Sequence, residues 1–178
     1  MEEFFQLATE RAASHGTHFE RIWQLAGQSA SGGKLVRPIL LIRTYEALTS
    51  EGSRITPRVE REVVESLAVA VELLHYSFLL HDDVIDRDVQ RRGRPNLIGA
   101  MLGDSDLAHN EKSRSLHWAQ SCGILMGDLL LSSAHQIFAR AAVPDALRNA
   151  LLDLLDETIM DSVAGEQIAV GLSDAIIS

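Results

Sequence analysis

The chain has 178 residues, long enough for one domain whose fold buries about 68–70% of the unfolded surface at this size. It carries 16 Lys+Arg against 25 Asp+Glu, a net charge of −9, and 46% of its residues are apolar. That balance excludes a broad basic nucleic-acid face and a disordered solvating segment, and the single cysteine, Cys122, excludes an internal disulfide or a cysteine-built zinc site. One cysteine fits a reducing, cytoplasmic compartment. The first residues, Met1-Glu2-Glu3-Phe4-Phe5, lack the basic start and long apolar run of a signal peptide. No window approaches 18 uninterrupted apolar residues, so no membrane span is expected.

Four prolines, Pro38, Pro57, Pro95 and Pro144, bound long stretches of helix-formers with 3.6-residue apolar spacing. The spacing predicts helices over about 2–28, 35–49, 58–87, 114–140 and 145–170. Pro38 sits in a first turn, where its missing N–H costs little, and Thr56-Pro57 reads as an N-cap with a first-turn proline. Residues from about 89 to 113 hold Gly93, Pro95, Gly99 and Gly103 and read as loop, with a short helix near 96–102. No alternating run argues for a sheet, so the expectation is one all-α domain over 1–178.

Two segments carry chemistry. The first is Ser31-Gly32-Gly33-Lys34-Leu35-Val36-Arg37-Pro38. Free N–H groups at a helix start attract anions, and Lys34 and Arg37 stand three residues apart beside them. The Walker A pattern is absent, so this is either an anion site of another kind or a capped helix with two surface cations.

The second runs over 72–96. On a helix with His75 at zero, Asp82 falls at about −20°, Asp86 at about +20° and Asp83 at about +80°. Val71, Phe78 and Leu79 lie within about 60° of His75 on the same side. An apolar stripe therefore leads to a carboxylate cluster at the helix C-terminus. Like charges four residues apart, at the negative end of the helix dipole, are unfavourable unless a hard cation sits there. Magnesium suits that role, because it takes few carboxylates and shares its shell with phosphate and water. Arg91, Arg92 and Arg94 follow at once, and the guanidinium fork suits phosphate. The plainer alternatives are a solvated acidic helix end and salt bridges from the arginines to Asp86 and Asp88.

Together these residues resemble the trans-isoprenyl diphosphate synthase (polyprenyl synthetase) family, as in geranylgeranyl and farnesyl diphosphate synthases. Four blocks match in order: Gly32-Gly33-Lys34-x-x-Arg37-Pro38; Glu72-Leu-Leu-His75; Asp82-Asp83-x-x-Asp86 with Arg91-Arg92-Gly93-x-Pro95; and Gly127-Asp128-Leu-Leu-Leu. The match covers roughly residues 20–170. It implies an isoprenoid-synthase-type helical bundle around a central cavity. It also implies a prenyltransferase that condenses an allylic diphosphate with isopentenyl diphosphate. By position, Asp82 and Asp86 would ligate Mg²⁺ on the allylic diphosphate, with Asp83 supporting them and Arg91 holding the same diphosphate. Lys34, Arg37, His75 and Arg92 would hold isopentenyl diphosphate. Phe78, with Ser77 beside it and Leu74 a turn below, would set a product of C15 to C20. A homodimer is implied, with no nucleic-acid partner.

The pattern departs from the family toward the C-terminus. Asp82-Asp83 is the only Asp-Asp pair, so the second aspartate-rich motif and its Lys-Thr pair are missing. Asp153-x-x-Asp156-Glu157 reads as an exposed helix face. Where the family has Gly-Gln-x-x-Asp, this chain has Gly165, Glu166 and Ala169. The expectation is the N-terminal portion of a polyprenyl synthetase domain, inactive by itself. Two other readings stay open. One is a catalytically incomplete half-length subunit that partners a full prenyl synthase. The other is a metal phosphohydrolase built on His81-Asp82 with His15, His18 or His109.

Overall fold

The computed structural model describes residues 1–31, 33–50, 59–107 and 112–176, with the backbone alone for Lys112. Among these, seven helices occur: α1 (Glu2–Ala13), α2 (Thr17–Ala30), α3 (Val36–Leu48), α4 (Arg61–Ile85), α5 (Leu97–Gly103), α6 (Lys112–Ala139) and α7 (Asp145–Ser173). The expected all-α architecture is present. Gly32, Thr56-Pro57 and His109 lie outside the described residues.

The first predicted helix is two. Gly16 takes φ +110°, outside the helical region, and splits 2–28 into α1 and α2. The pair closes on an aromatic cluster, with the Phe5 ring 6.2 Å from Trp23 and 6.4 Å from Tyr76 of α4. Gly27 permits this approach, since a Cβ there would lie 3.0 Å from the Phe5 Cβ.

Helix α4 is the hub. It buries Ala70, Leu73, Ser77 and Leu80 and packs along α6. The two come close because α6 places Ala119, Gly123 and Gly127 at four-residue spacing, on one face of the helix. A Cβ on Gly123 would press on Val84 at 3.2 Å, and one on Gly127 would collide with the His81 ring. Both α4 and α6 are long and apolar enough, by length and composition, to cross a membrane, which the sequence reading did not expect. Half of the apolar window of α4 is buried inside the fold, as a core helix would be. Helix α7 buries only Leu155 and Gly171 and leaves Leu154, Met160, Val163 and Leu172 exposed.

The segment read as loop contains a small antiparallel hairpin, β1 (Gln90–Arg91) and β2 (Arg94–Pro95), pairing Gln90 with Pro95 and Arg91 with Arg94. Arg92 and Gly93 form its two-residue turn with φ of 54° and 75°. Positive φ at both positions gives the twist that short hairpins need. Asn96 then starts α5: its Oδ1 accepts from Gly99 N at 2.9 Å, and its Nδ2 donates to Asp88 O at 2.8 Å. Across the fold, Arg21 of α2 donates to Asp104 at 2.7 Å, just past the end of α5.

A groove of about 1220 Å³ lies between α1, α2, the start of α4 and the end of α6, lined by Phe4, Trp23, Leu67 and Ile137 among others. It sits at the far end of α4 from the aspartates. Val69 is 13 residues before Asp82, about 20 Å along the axis.

Gly99 is the tightest point of the hairpin–α5 junction, because a Cβ there would collide with the Val89 carbonyl oxygen, a backbone atom that cannot swing away. Gly99→Ala should therefore cost about 1–3 kcal/mol in chemical denaturation. Gly103→Ala, with nothing near its would-be Cβ, should cost nothing or stabilise slightly. Equal effects of the two would contradict this packing.

Candidate active site

The stripe read from the sequence is the half-covered face of α4. Val71, His75, Phe78, Leu79 and Asp82 are all partly exposed, and Asp86 is exposed at the C-cap. Leu74 and Ser77 are turned inward; the Ser77 hydroxyl donates to Leu74 O at 2.9 Å. Of the three residues assigned to product length, Phe78 alone lies on the open stripe.

The hairpin folds back on the acidic end of α4. Arg91 Nη2 donates to Asp82 Oδ2 at 2.6 Å and to Asp83 Oδ1 at 2.8 Å, and Nε donates to the same Asp83 oxygen at 3.1 Å. Burial pushes the Asp83 carboxyl above its ordinary range, and the arginine only partly opposes this. The arginine–aspartate pairing foreseen as an alternative thus forms, but with Asp82 and Asp83 rather than Asp86 and Asp88.

Four of the expected phosphate-binding groups converge. The His75 imidazole is pushed down to about 4, first by burial and then by the positive charges of Arg37, Arg91 and Arg92. These come from the first turn of α3, the middle of α4 and the hairpin, so the fold brings three separate sequence blocks to one place. Arg37 also faces Glu72, whose carboxyl is raised by burial and only partly lowered by that arginine. Lys34 is exposed, just before Leu35, which enters α3 with φ 47°.

The carboxylate side is larger than the sequence suggested. Burial first, and then the charges of Asp82 and Asp86, raise the Glu166 carboxyl, so α7 brings a further acid to this end of α4. The sequence placed Glu166 where the family has glutamine. On the other flank, His81 Nε2 lies 3.2 Å from Asp128 Oδ1, with Gly127 against its ring. The signal for that pair was present as two separate motifs with nothing to join them.

Among the described residues, no group of three or more His, Cys, Asp or Glu side chains forms a metal cage. Asp82 and Asp86, one turn apart, instead offer two carboxylates and leave the remaining positions to ligand oxygens and water, as magnesium accepts. Among the described residues, the histidine cluster of a phosphohydrolase does not form. His81 pairs with Asp128, and His15 lines the distant groove beside Phe19.

The depressed His75 gives a pH prediction. In the unfolded chain it takes a proton near its ordinary 6.5, and in the folded chain it resists until about 4. Between those values the unfolded state binds more protons, so stability falls as pH falls. Glu72 and Asp83, both raised, contribute the opposite slope. Thermal midpoints over this window should fall less steeply for His75→Gln than for wild type; superimposable curves would overturn the assignment.

Comparison with known proteins identifies the family. The polyprenyl synthetase model matches residues 20–175. The chain is 31% identical over 136 residues to a geranylgeranyl diphosphate synthase of Methanosarcina mazei, covering 76% of this chain and 34% of that protein. It is 28% identical over 134 residues to a (2E,6E)-farnesyl diphosphate synthase of Mycobacterium bovis, covering 75% and 30%. Among solved structures, a geranylgeranyl pyrophosphate synthetase from Pyrococcus horikoshii superposes with TM-score 0.57 at 26% identity, over 88% of this chain and 41% of that one. An FPP/GFPP synthase from Zymomonas mobilis superposes at 0.61 and 21% identity, over 96% and 59%, and shows the shared fold. The chain spans about a third of the length of the curated relatives it matches. With the family match over most of its length, the chain belongs to the polyprenyl synthetase family.

Proposed function

We propose that the chain carries the diphosphate-binding half of a prenyltransferase that condenses an allylic diphosphate with isopentenyl diphosphate to give a C15–C20 product. One observation carries this reading: along the C-terminal half of α4 the acids Asp82 and Asp86 follow the His75 ring, and the cations Arg37, Arg91 and Arg92 act on that ring. That charge pattern is complementary to a metal–diphosphate complex.

In this reading Asp82 and Asp86 hold Mg²⁺, and Arg91 binds the allylic diphosphate. When bound, the metal supplies a Lewis acid that stabilises charge on the leaving diphosphate. Lys34, Arg37, His75 and Arg92 bind isopentenyl diphosphate. The isopentenyl double bond supplies the electron pair for the new C–C bond as the allylic C–O bond breaks. The lost proton goes to the released diphosphate, so no side-chain nucleophile is needed. Preorganised cations aimed at the departing oxygens are the main contribution the protein makes. The partly exposed Phe78 would meet the growing tail about one turn below Asp82.

We assign the working form as a cytoplasmic homodimer, with α4 and α6 as core helices rather than membrane spans. The exposed apolar residues Leu125 and Leu129 of α6 and Leu154 and Met160 of α7 support an assembly. The same exposed residues support the second reading, a catalytically incomplete subunit that pairs with a full synthase. Turnover that appears only on adding a second, different chain would favour it.

The test is incorporation of labelled isopentenyl diphosphate into longer prenyl diphosphates, with and without Mg²⁺. Asp82→Asn should lower turnover by roughly 10²–10³-fold. Labelled substrate that stays unextended with every partner and metal tried would refute the assignment. Phe78→Ala should shift the product to longer chains by mass spectrometry, and an unchanged product distribution would remove Phe78 from length control.

A further inference from the structure

We propose that Asp83 is a positioning residue that holds Arg91 toward the diphosphate. The proposal rests on the reading above, in which Arg91 meets a diphosphate. The two neighbouring aspartates differ sharply in access: the Asp82 side chain is 32% exposed and the Asp83 side chain 3%. A divalent cation that keeps part of its water shell can reach the first but not the second.

The geometry of the guanidinium points the same way. Nε and Nη2 lie on one edge of the Arg91 fork, and both donate to a single oxygen, Asp83 Oδ1, at 3.1 and 2.8 Å. The other edge is Nη1 and Nη2. Among the described residues its one further bond is the 2.6 Å contact from Nη2 to the accessible Asp82. If Asp82 turns to a cation, Arg91 keeps both bonds to Asp83, and its Nη1–Nη2 edge is released for phosphate oxygens. A guanidinium presents such an edge in a fixed plane, which a lysine cannot.

The backbone fixes the same register. Asp83 O accepts from Asp88 N at 2.8 Å, and Asp88 O accepts from Asn96 Nδ2 at 2.8 Å. The segment that carries Arg91 is thus tied to residue 83 by main chain and side chain alike. Asp83 and Asp82 then divide the labour: one fixes the arginine, and the other exchanges it for a cation.

The experiment uses the full chain and two inert probes, Mn²⁺ followed by electron paramagnetic resonance and inorganic pyrophosphate followed by calorimetry at saturating Mg²⁺. Asp83→Asn should leave the Mn²⁺ dissociation constant within about twofold and weaken pyrophosphate about tenfold, the scale of one charge-assisted contact. Asp82→Asn should weaken Mn²⁺. The double variant Asp83→Asn/Arg91→Gln should bind pyrophosphate no worse than about threefold below Arg91→Gln, because the aspartate acts through the arginine. A merely structural role would instead weaken both probes together. If Asp83→Asn does not fold, Arg91→Lys serves in its place: it keeps the charge, loses the two-point hold, and should weaken pyrophosphate alone. The proposal is overturned if Asp83→Asn weakens Mn²⁺ as much as Asp82→Asn does. It is also overturned if the Asp83 and Arg91 losses multiply, if Arg91→Lys binds pyrophosphate like wild type, or if wild type binds neither probe. Wild type that binds both probes yet forms no prenyl product with any partner or metal tried refutes the proposed reaction, while the same titrations still decide the role of Asp83.

Discussion

Asp83 is a carboxylate buried at the end of a core helix, and a buried charge needs a partner. Arg91 supplies it, and the demand shapes the surrounding chain. To deliver Arg91 back to α4, the seven residues between must reverse direction. They turn at Arg87, with φ 60°, and the Arg92-Gly93 turn and the short β1–β2 ladder beyond it hold the strand that carries Arg91. Arg92 accepts a left-handed conformation that asparagine or glycine would adopt more easily. The local cost falls on a residue whose charge acts on the site. Asn96 and Gly99 then close the loop against Val89 and start α5.

The site that results has two poles. Asp82, Asp86 and the nearby Glu166 form the negative one, and Arg37, Arg91 and Arg92 the positive one, with the neutral His75 ring among the cations. Each pole alone is unfavourable, and the Arg91–Asp82 contact joins them. A metal–diphosphate complex presents the complementary pattern, cation against acids and anion against arginines. The approach of α6 through Gly123 and Gly127 holds the acidic end of α4 in place, with the His81–Asp128 contact at its flank.

Much of this was legible in the residue order. Apolar spacing between the prolines marked the helices, because a helix must cover one face whatever it packs against. The Asp82-x-x-x-Asp86 spacing put two acids on one stripe, because helical geometry is local. The Arg91-Arg92 run beside it marked an anion partner. What the sequence could not decide was whatever depends on approach between distant segments. Gly16 sits in an otherwise helical pattern, and its φ of +110° broke the predicted first helix where spacing alone showed no end. The two-residue strands were too short to alternate. Which aspartate would be buried, which would pair with Arg91, and that Glu166 would arrive from α7 are all matters of packing and desolvation. Those energies belong to the assembled fold, so the sequence by itself determined the helical class and the chemical types at the site, and only the tertiary structure determined the break at Gly16 and the division between an accessible Asp82 and a buried Asp83.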